Sequence, residues 1–198
     1  MRLGMGLGLG NLLSGGPITG MSNKYSFNFD GSDDYLVTQS NVGISGSNAY
    51  TMNCWFKLDA YGSFPVIMSS GEIAGYKENS LLIRTISLDT WYMATLTFNG
   101  SDTIKIYING ALDGTKSVSS INITDSVLYV GKRSNGLQLD GCIDEVAIWN
   151  TELSASDVAK LASKPLNLSK ASSYDTDRTS NLKLWLRAGD KILPEEDA

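Results

Sequence analysis

The sequence predicts an all-β fold, a two-sheet antiparallel sandwich or jelly roll with one short helix near the C-terminus. Glycine is abundant, with 20 residues, proline is scarce, with 4, and Ser, Thr and Asn are frequent, which is typical of turn-rich β proteins. Short apolar-polar stretches recur about every 8 to 12 residues with turn signals between them. The 198 residues and 42% hydrophobic content suit one domain with a substantial core.

The predicted strands follow one another from residue 24 to residue 150. "KYSFNF" and "YTMNCWFKLD" alternate apolar and polar side chains, as half-buried strands do. "WYMATLTF" and "TIKIYING" are separated by "NGSD", which indicates a hairpin, and Asn109-Gly110 marks a second turn. "SVLYVGK" and "GCIDEVAIW" complete the series. Trp55, Trp91 and Trp149 lie within these stretches, which favours core positions for them.

The clearest helix is "TELSASDVAKLAS". Ser154 is suited to the N-cap position, with Asp157 three positions further on, and Pro165 ends the helix. Residues 164–198 form a C-terminal extension, in which "NLKLWLRA" predicts a returning strand near 181–188.

Residues 1–22 form a Gly/Leu-rich N-terminal arm in which we find no periodicity, and residues 23–163 form the jelly roll. The arm is either flexible or ordered against a partner subunit, because a purely solvated tail rarely carries so many leucines. The leucines available for such a contact are Leu3, Leu7, Leu9, Leu12 and Leu13. The start resembles a secretion signal only weakly, since glycine interrupts it and no cleavage site is evident.

Charge and composition exclude several functions. The formal charge of −5 gives no reason to bind nucleic acid or an anionic membrane, and no apolar run approaches the ~18 residues of a membrane span. The chain has no histidine, which excludes Ser-His-Asp and Cys-His catalysis. A bound metal would therefore need oxygen ligands, which favours calcium. Cys54 and Cys142 lie in apolar stretches and are either two buried thiols or one disulfide.

Four segments, in order, resemble the laminin-G-like branch of the concanavalin A-like lectin/glucanase superfamily. The match covers residues 24–162, and the segments are "FNFDGSDDYL", "MNCWFKLD", "WYMATLTFNGSDTIKIYINGALDGT" and "LYVGKRSNGLQLDGCIDEVAIWNTELSASDVAKL". The resemblance implies a jelly roll of one concave and one convex antiparallel sheet. The Gly/Leu start and the tail "NLKLWLRAGD" are similar to laminin-G-like proteins encoded by tailed bacteriophages.

The resemblance raises the question of glucanase activity, which we do not expect. Retaining glycosidases need two carboxyl groups about 5 Å apart. Laminarinase-like members supply them with the spacing Glu-x-Asp-x-x-Glu, which this chain lacks. Glu72 stands alone, Glu78 and Asp89 fall in predicted loops, and adjacent Asp144 and Glu145 should face opposite sides of a strand.

The acidic stretch around Asp30, Asp33 and Asp34 has two interpretations. Asp-Gly and Ser-Asp-Asp are common turn residues, because Asp bonds to its own backbone. The first and last strands of a jelly roll are neighbours, however, so Asp30, the Gly31 carbonyl and Asp144 could form a structural calcium site.

Glycan binding is the other predicted activity, since sugars bind to aromatic faces and to polar groups carried by loops. The candidate residues are Tyr61, Phe64, Tyr76, Arg133 and Asn135. Laminin-G-like modules also bind proteins.

We therefore predict a non-enzymatic bacteriophage structural protein, a capsid decoration or fibre-associated protein on the virion surface. Its jelly roll would serve adhesion to a glycan or cell surface, its partners would be other virion proteins, and it would form a homo-oligomer. The alternative is a secreted carbohydrate-binding lectin module.

Overall fold

The computed structural model describes residues 3–6, 25–61, 67–70, 86–119, 121–123, 127–132, 138–163 and 167–189. The strands in these ranges are β1 (Leu3–Gly6), β2 (Phe27–Asp30), β3 (Tyr35–Thr38), β4 (Tyr50–Leu58), β5 (Met68–Ser70), β6 (Tyr92–Phe98), β7 (Thr103–Ile108), β8 (Ala111–Ser117), β9 (Leu128–Val130), β10 (Asp140–Trp149) and β11 (Leu182–Leu186). One α-helix, α1 (Ala155–Ser163), follows β10, and two 3₁₀ turns precede β11. No helix in these ranges has the length and apolar character to span a bilayer.

The strands form two antiparallel sheets, which confirms the predicted all-β jelly-roll class. The small sheet has the order β1-β3-β9-β5, and the large sheet has the order β11-β10-β4-β6-β7-β8, with β2 also paired to β10. Strands β6, β7 and β8 are joined as consecutive hairpins, whereas β10 pairs with β2 and β4, which are distant from it in sequence, so the large sheet combines local and long-range pairing.

The main core lies between the sheets and is built by the alternation seen in the sequence. Along β4, Cys54, Phe56 and Leu58 point inward and are almost fully buried. Both Cys54 and Cys142 are buried free thiols, the first of the two predicted alternatives. Burial raises the pKa of the Cys54 thiol, and the nearby Asp144 carboxylate raises it further.

A second apolar cluster covers the opposite face of the large sheet. Trp149 of β10 packs with Val158 and Leu161 of α1 and with Tyr174, which follows the first 3₁₀ turn. The Trp149 indole donates a hydrogen bond to the Tyr174 hydroxyl at 3.1 Å, and that hydroxyl donates to the Leu168 carbonyl at 2.8 Å. Burial of each such side chain contributes ~1.5–3 kcal/mol. The C-terminal extension therefore packs on the sandwich through Leu168 and Tyr174.

The N-terminal arm differs from the sequence-based expectation. Leu3–Gly6 is the edge strand of the chain's own small sheet, with Leu3 opposite Thr38 and Gly6 opposite Tyr35. Leu3–Gly6 is therefore not aperiodic, since glycines at positions 4, 6, 8 and 10 alternate with Leu or Met at the period of a strand. Contact between Leu3 and a partner subunit stays a prediction. Leu7, Leu9, Leu12 and Leu13 lie outside the described residues.

Strand β10 has two different neighbours on one side. Its first half, Asp140–Ile143, pairs with β2, and its second half, Val146–Trp149, pairs with β11. A β-bulge separates the halves and places Glu145 at a φ of 52°.

The bulge also fastens the C-terminal strand to the sheet. Asp144 accepts a hydrogen bond from the Ala188 N–H at 2.8 Å. Glu145 accepts one from the Trp185 indole at 2.6 Å and another from Arg187 Nε at 2.7 Å. Asp144 and Glu145 were predicted to face opposite sides of the strand. Both instead contact the segment formed by residues 185–188, because the bulge interrupts the alternation.

Asp157 joins α1 to the C-terminal segment. Its backbone N–H donates to the Ser154 hydroxyl at 3.1 Å, as the predicted N-cap requires. Its buried carboxylate accepts hydrogen bonds from the N–H groups of Asp175 at 2.7 Å and Thr176 at 3.1 Å. Burial raises the pKa of Asp157, but hydrogen bonds from Thr176, Ser154 and Asp175 outweigh burial and hold this pKa below its ordinary value.

We expect Asp157→Asn to lower the free energy of unfolding by about 1.5–3 kcal/mol at pH 7, because the acceptor loses its charge and one of its two oxygens is replaced by an NH2 donor. A lowered pKa gives stability that is complete above the unfolded-state pKa of about 3.9 and is lost as the pH falls through the folded-state value. Urea denaturation should therefore show a smaller difference from wild type at pH 3. The matched control is Asp113→Asn on the exposed β8, and equal stability of the two variants at pH 7 would contradict this role.

Candidate functional site

One end of the sandwich gathers four connections, which we call the loop end. In the large sheet, Asp30 at the end of β2 lies opposite Asp140, and Gly141 lies opposite Leu58 at the end of β4. In the small sheet, Val130 at the end of β9 lies opposite the start of β3 and the start of β5. The β2–β3, β4–β5, β5–β6 and β9–β10 connections therefore begin or end at the loop end.

The residues predicted to bind glycan all belong, by sequence, to these connections. Tyr61 follows β4, is 63% exposed and donates a hydrogen bond from its hydroxyl to the Ile86 carbonyl at 2.6 Å. That bond ties the β4–β5 connection to the segment before β6. Phe64, Tyr76, Arg133 and Asn135 lie outside the described residues.

The predicted combination of Asp30 and Gly31 with Asp144 is wrong. The register places Asp140, not Asp144, opposite Asp30. Asp144 lies four residues further along β10, about 13 Å at the rise of a strand, where it is buried at the bulge. The jelly-roll class implies that the first and last strands are neighbours, but it does not show which residues pair. The prediction therefore chose a residue four positions too far along β10.

Asp30 organises the turn that connects β2 to β3. Its carboxylate accepts a hydrogen bond from the Ser32 N–H at 2.8 Å, and its own N–H donates to the Asp34 carboxylate at 3.3 Å. Gly31 has a φ of 74°, which strains any other residue, and an added Cβ would lie tightly against Asp140, 3.0 Å from its Cβ. The turn interpretation of this acidic stretch is therefore confirmed.

The same turn brings three carboxylates together. One oxygen from each of Asp30, Asp33 and Asp34 lies within 4.8 Å of the others. Carboxylate oxygens are the donors that calcium prefers, so calcium stays a prediction at this turn, with Asp33 and Asp34 in place of Asp144.

A pair of tyrosines lies beside this turn on the outer face of the small sheet. Tyr35 of β3 and Tyr129 of β9 are partly buried, while the residues that alternate with them, such as Leu36 and Val130, point into the core. The two ring centroids are 6.3 Å apart, and the planes are tilted by 41°. Across β1 the position opposite Tyr35 is Gly6, which carries no side chain.

Lys132 completes this group, and the backbone around it is well anchored. The Lys132 ammonium lies 4.0 Å from the centroid of the Tyr35 ring, a cation–π contact. The Lys132 backbone carbonyl accepts a hydrogen bond from the Ser69 hydroxyl at 3.0 Å. Gly131, at φ 76°, packs so closely on Phe29 that an added Cβ would lie 2.4 Å from the ring.

Sequence reasoning missed Tyr35, Tyr129 and Lys132 as site residues. Alternation in "YLVT" and "LYV" is a signal that each tyrosine faces away from the core. Their meeting depends on the pairing of β3 with β9, about 90 residues apart in the chain, which no local pattern reveals.

The acidic residues considered for catalysis are placed elsewhere or are already engaged. Asp144 and Glu145 are buried and bonded to the C-terminal segment, so neither carboxylate is presented to solvent. Asp89 is exposed and pairs with Lys57, with 3.4 Å between its carboxylate and the ammonium. Glu72 and Glu78 lie outside the described residues. Trp55 and Trp149 are buried, as predicted for core positions.

Three solved structures with a similar fold have low sequence identity to this chain. Domain 4 of AbnA, a GH43 extracellular arabinanase from Geobacillus stearothermophilus solved in complex with arabinotriose, is 17% identical with a TM-score of 0.59, over 75% of this chain and 82% of that one. The ligand binding domain of botulinum neurotoxin serotype D, solved with N-acetylneuraminic acid, is 18% identical with a TM-score of 0.59, over 81% of this chain and 45% of that one. The heptameric SAP-like pentraxin from Limulus polyphemus is 15% identical with a TM-score of 0.53, over 69% of this chain and 80% of that one. At these identities the likeness shows the fold.

Sequence comparison is more specific about the family. No curated protein matches the chain significantly. The family model Laminin_G_3, described as the Concanavalin A-like lectin/glucanases superfamily, matches residues 30–159. This match covers most of the chain, from the acidic turn to α1, so the protein belongs to the Laminin_G_3 family of the concanavalin A-like lectin/glucanases superfamily.

Proposed function

We propose that this protein is a non-catalytic carbohydrate-binding module that binds glycan on the tyrosine pair at the loop end. The observation that supports this most is the placement of Tyr35 and Tyr129, 6.3 Å apart, on a face turned away from the core. Sugar rings present C–H patches that pack on aromatic faces, while nearby polar groups fix the hydroxyls. Exposed Tyr61 and the Asp30–Asp34 turn lie at the same end and supply such polar groups.

Proteins of the same fold support the carbohydrate proposal. The arabinanase domain was solved with arabinotriose and the neurotoxin domain with N-acetylneuraminic acid. The arabinanase domain also shows that this fold occurs as one part of an enzyme, so attachment to a catalytic domain is compatible with the proposal. The module itself is proposed as non-catalytic, because Asp144 and Glu145 are bonded to the C-terminal segment.

We expect Tyr129→Ala to weaken glycan binding about tenfold, the equivalent of ~1.4 kcal/mol. Tyr35→Ala should weaken binding less, because the Lys132 ammonium already lies over the Tyr35 ring. A glycan array would identify the ligand, and calorimetry would then compare the variants.

The matched control for these variants is Leu112→Ala, which removes an exposed apolar side chain (57% exposed) from β8 on the large sheet. Unchanged affinity in a folded Tyr35→Ala/Tyr129→Ala double variant would show that glycan binds elsewhere.

We also propose that calcium binds at the Asp30–Asp34 turn and stiffens it. Two or three carboxylates with backbone carbonyls suit a cation that takes six to eight oxygen ligands. Calcium at 100 times its Kd should then stabilise the fold by about 2.7 kcal/mol, seen as a rise in Tm that EDTA reverses. Asp33→Asn should reduce this rise, whereas Asp113→Asn should not. An equal Tm in calcium and in EDTA would exclude a structural site.

The biological setting that we propose is the surface of a bacteriophage virion, where the module would be part of a homo-oligomeric decoration or fibre protein. The resemblance of the Gly/Leu start and of the tail "NLKLWLRAGD" supports this setting. Peptide mass spectrometry of purified particles tests it, and hundreds of copies per particle would indicate capsid decoration. Absence from particles would favour the alternative, a secreted lectin module.

A further inference from the structure

We infer that, when no calcium occupies the Asp30–Asp34 turn, the tyrosine pair selects neutral glycans and discriminates against carboxylated or sulfated ones. The inference rests on the proposed function and adds the class of sugar. It follows from the charges that surround the pair in the described part of the loop end.

Carboxylates outnumber ammonium groups at this end. The acidic residues are Asp30, Asp33, Asp34, Asp59, Asp89 and Asp140. The basic residues are Lys57 and Lys132, so negative charges exceed positive charges by four. A sugar that reaches the described part of this end therefore meets a negative local field.

Both ammonium groups already have partners. Lys57 forms ion pairs with Asp59 and Asp89. Lys132 lies over the Tyr35 ring, 4.0 Å from its centroid. An acidic sugar that recruited either ammonium would compete with a contact that the fold already makes.

The turn immediately before Tyr35 carries the carboxylates that are nearest to this tyrosine in sequence. Asp30 and Asp33 are exposed, and neither forms an ion pair with another described residue. Asp33 precedes Tyr35 by two residues, so their Cα atoms are at most about 7 Å apart. That distance is shorter than the Debye length of about 8 Å at physiological ionic strength, so salt screens these charges only partly.

The same carboxylates favour a neutral sugar. Each sugar hydroxyl is a hydrogen-bond donor, and ionised carboxylates are acceptors only. A carboxylate or sulfate on the ligand would replace such a donor with a second acceptor and a like charge. Juxtaposed like charges reduce both the association rate and the affinity.

The test compares matched neutral and acidic probes on the full chain in EDTA, so that calcium does not neutralise the turn. One matched pair is lactose and sialyllactose, and the other is methyl-esterified and free-acid oligogalacturonide. Arabinotriose is an additional neutral probe. At low ionic strength the neutral member of each bound pair should bind at least tenfold more tightly, and added salt should narrow this gap.

Charge reversal at Asp33 identifies the source of the selectivity. Asp33→Lys should raise affinity for the acidic probes severalfold and lower affinity for the neutral probes slightly, because one acceptor for sugar hydroxyls is lost. Asp33→Asn should change affinity for the acidic probes less, in the same direction. Asp113→Lys on β8 controls for net charge and should change neither. Comparable binding of acidic and neutral probes, or a gap that Asp33→Lys does not alter, would overturn the inference and leave carbohydrate binding intact. Failure of the folded protein to bind any probe would instead reject the proposed function together with the inference.

Discussion

The pairing of β10 is the constraint on which the rest of the structure depends. This long strand pairs with β4 along one side and is shared between β2 and β11 on the other. Without a bulge, β10 would have one uninterrupted edge, and nothing in it would define where pairing with β2 ends and pairing with β11 begins. The bulge at Glu145 ends one pairing and begins the next, and the two carboxylates there hold the residues that follow β11.

This arrangement explains why the two faces of the sandwich differ. Because β11 returns to β10, the segment before it crosses the outer face of the large sheet together with α1 and buries Trp149 and Tyr174 there. The small sheet keeps Tyr35 and Tyr129 on its outer face, and the β1 position opposite Tyr35 is Gly6. Structural aromatics thus belong to the large sheet and candidate binding aromatics to the small one.

The interactions at the loop end combine anchored backbone with a surplus of negative charge. Asp30 fixes its turn through backbone N–H groups, and Gly131 packs on Phe29 at the start of the β9–β10 connection. Rigid placement of a few polar and aromatic groups is what a sugar site needs, since ordering loops on binding would cost free energy. The same turn carries Asp30, Asp33 and Asp34, so it contributes both to the fixed backbone of the loop end and to its negative charge.

The sequence by itself determined the fold class, the hairpins, the capped helix and the inward or outward direction of most strand residues. Each of these depends on local periodicity or on turn chemistry, which a single chain displays directly. It also excluded histidine chemistry, because the residues are absent. Sequence reasoning missed the strand Leu3–Gly6, although glycine alternates there with Leu and Met, and it misplaced Asp144, because a bulge cannot be seen in a pattern of alternation. Only the tertiary structure decided that Asp30 faces Asp140 and that Tyr35 meets Tyr129, because strand register is set by packing between segments far apart in the chain.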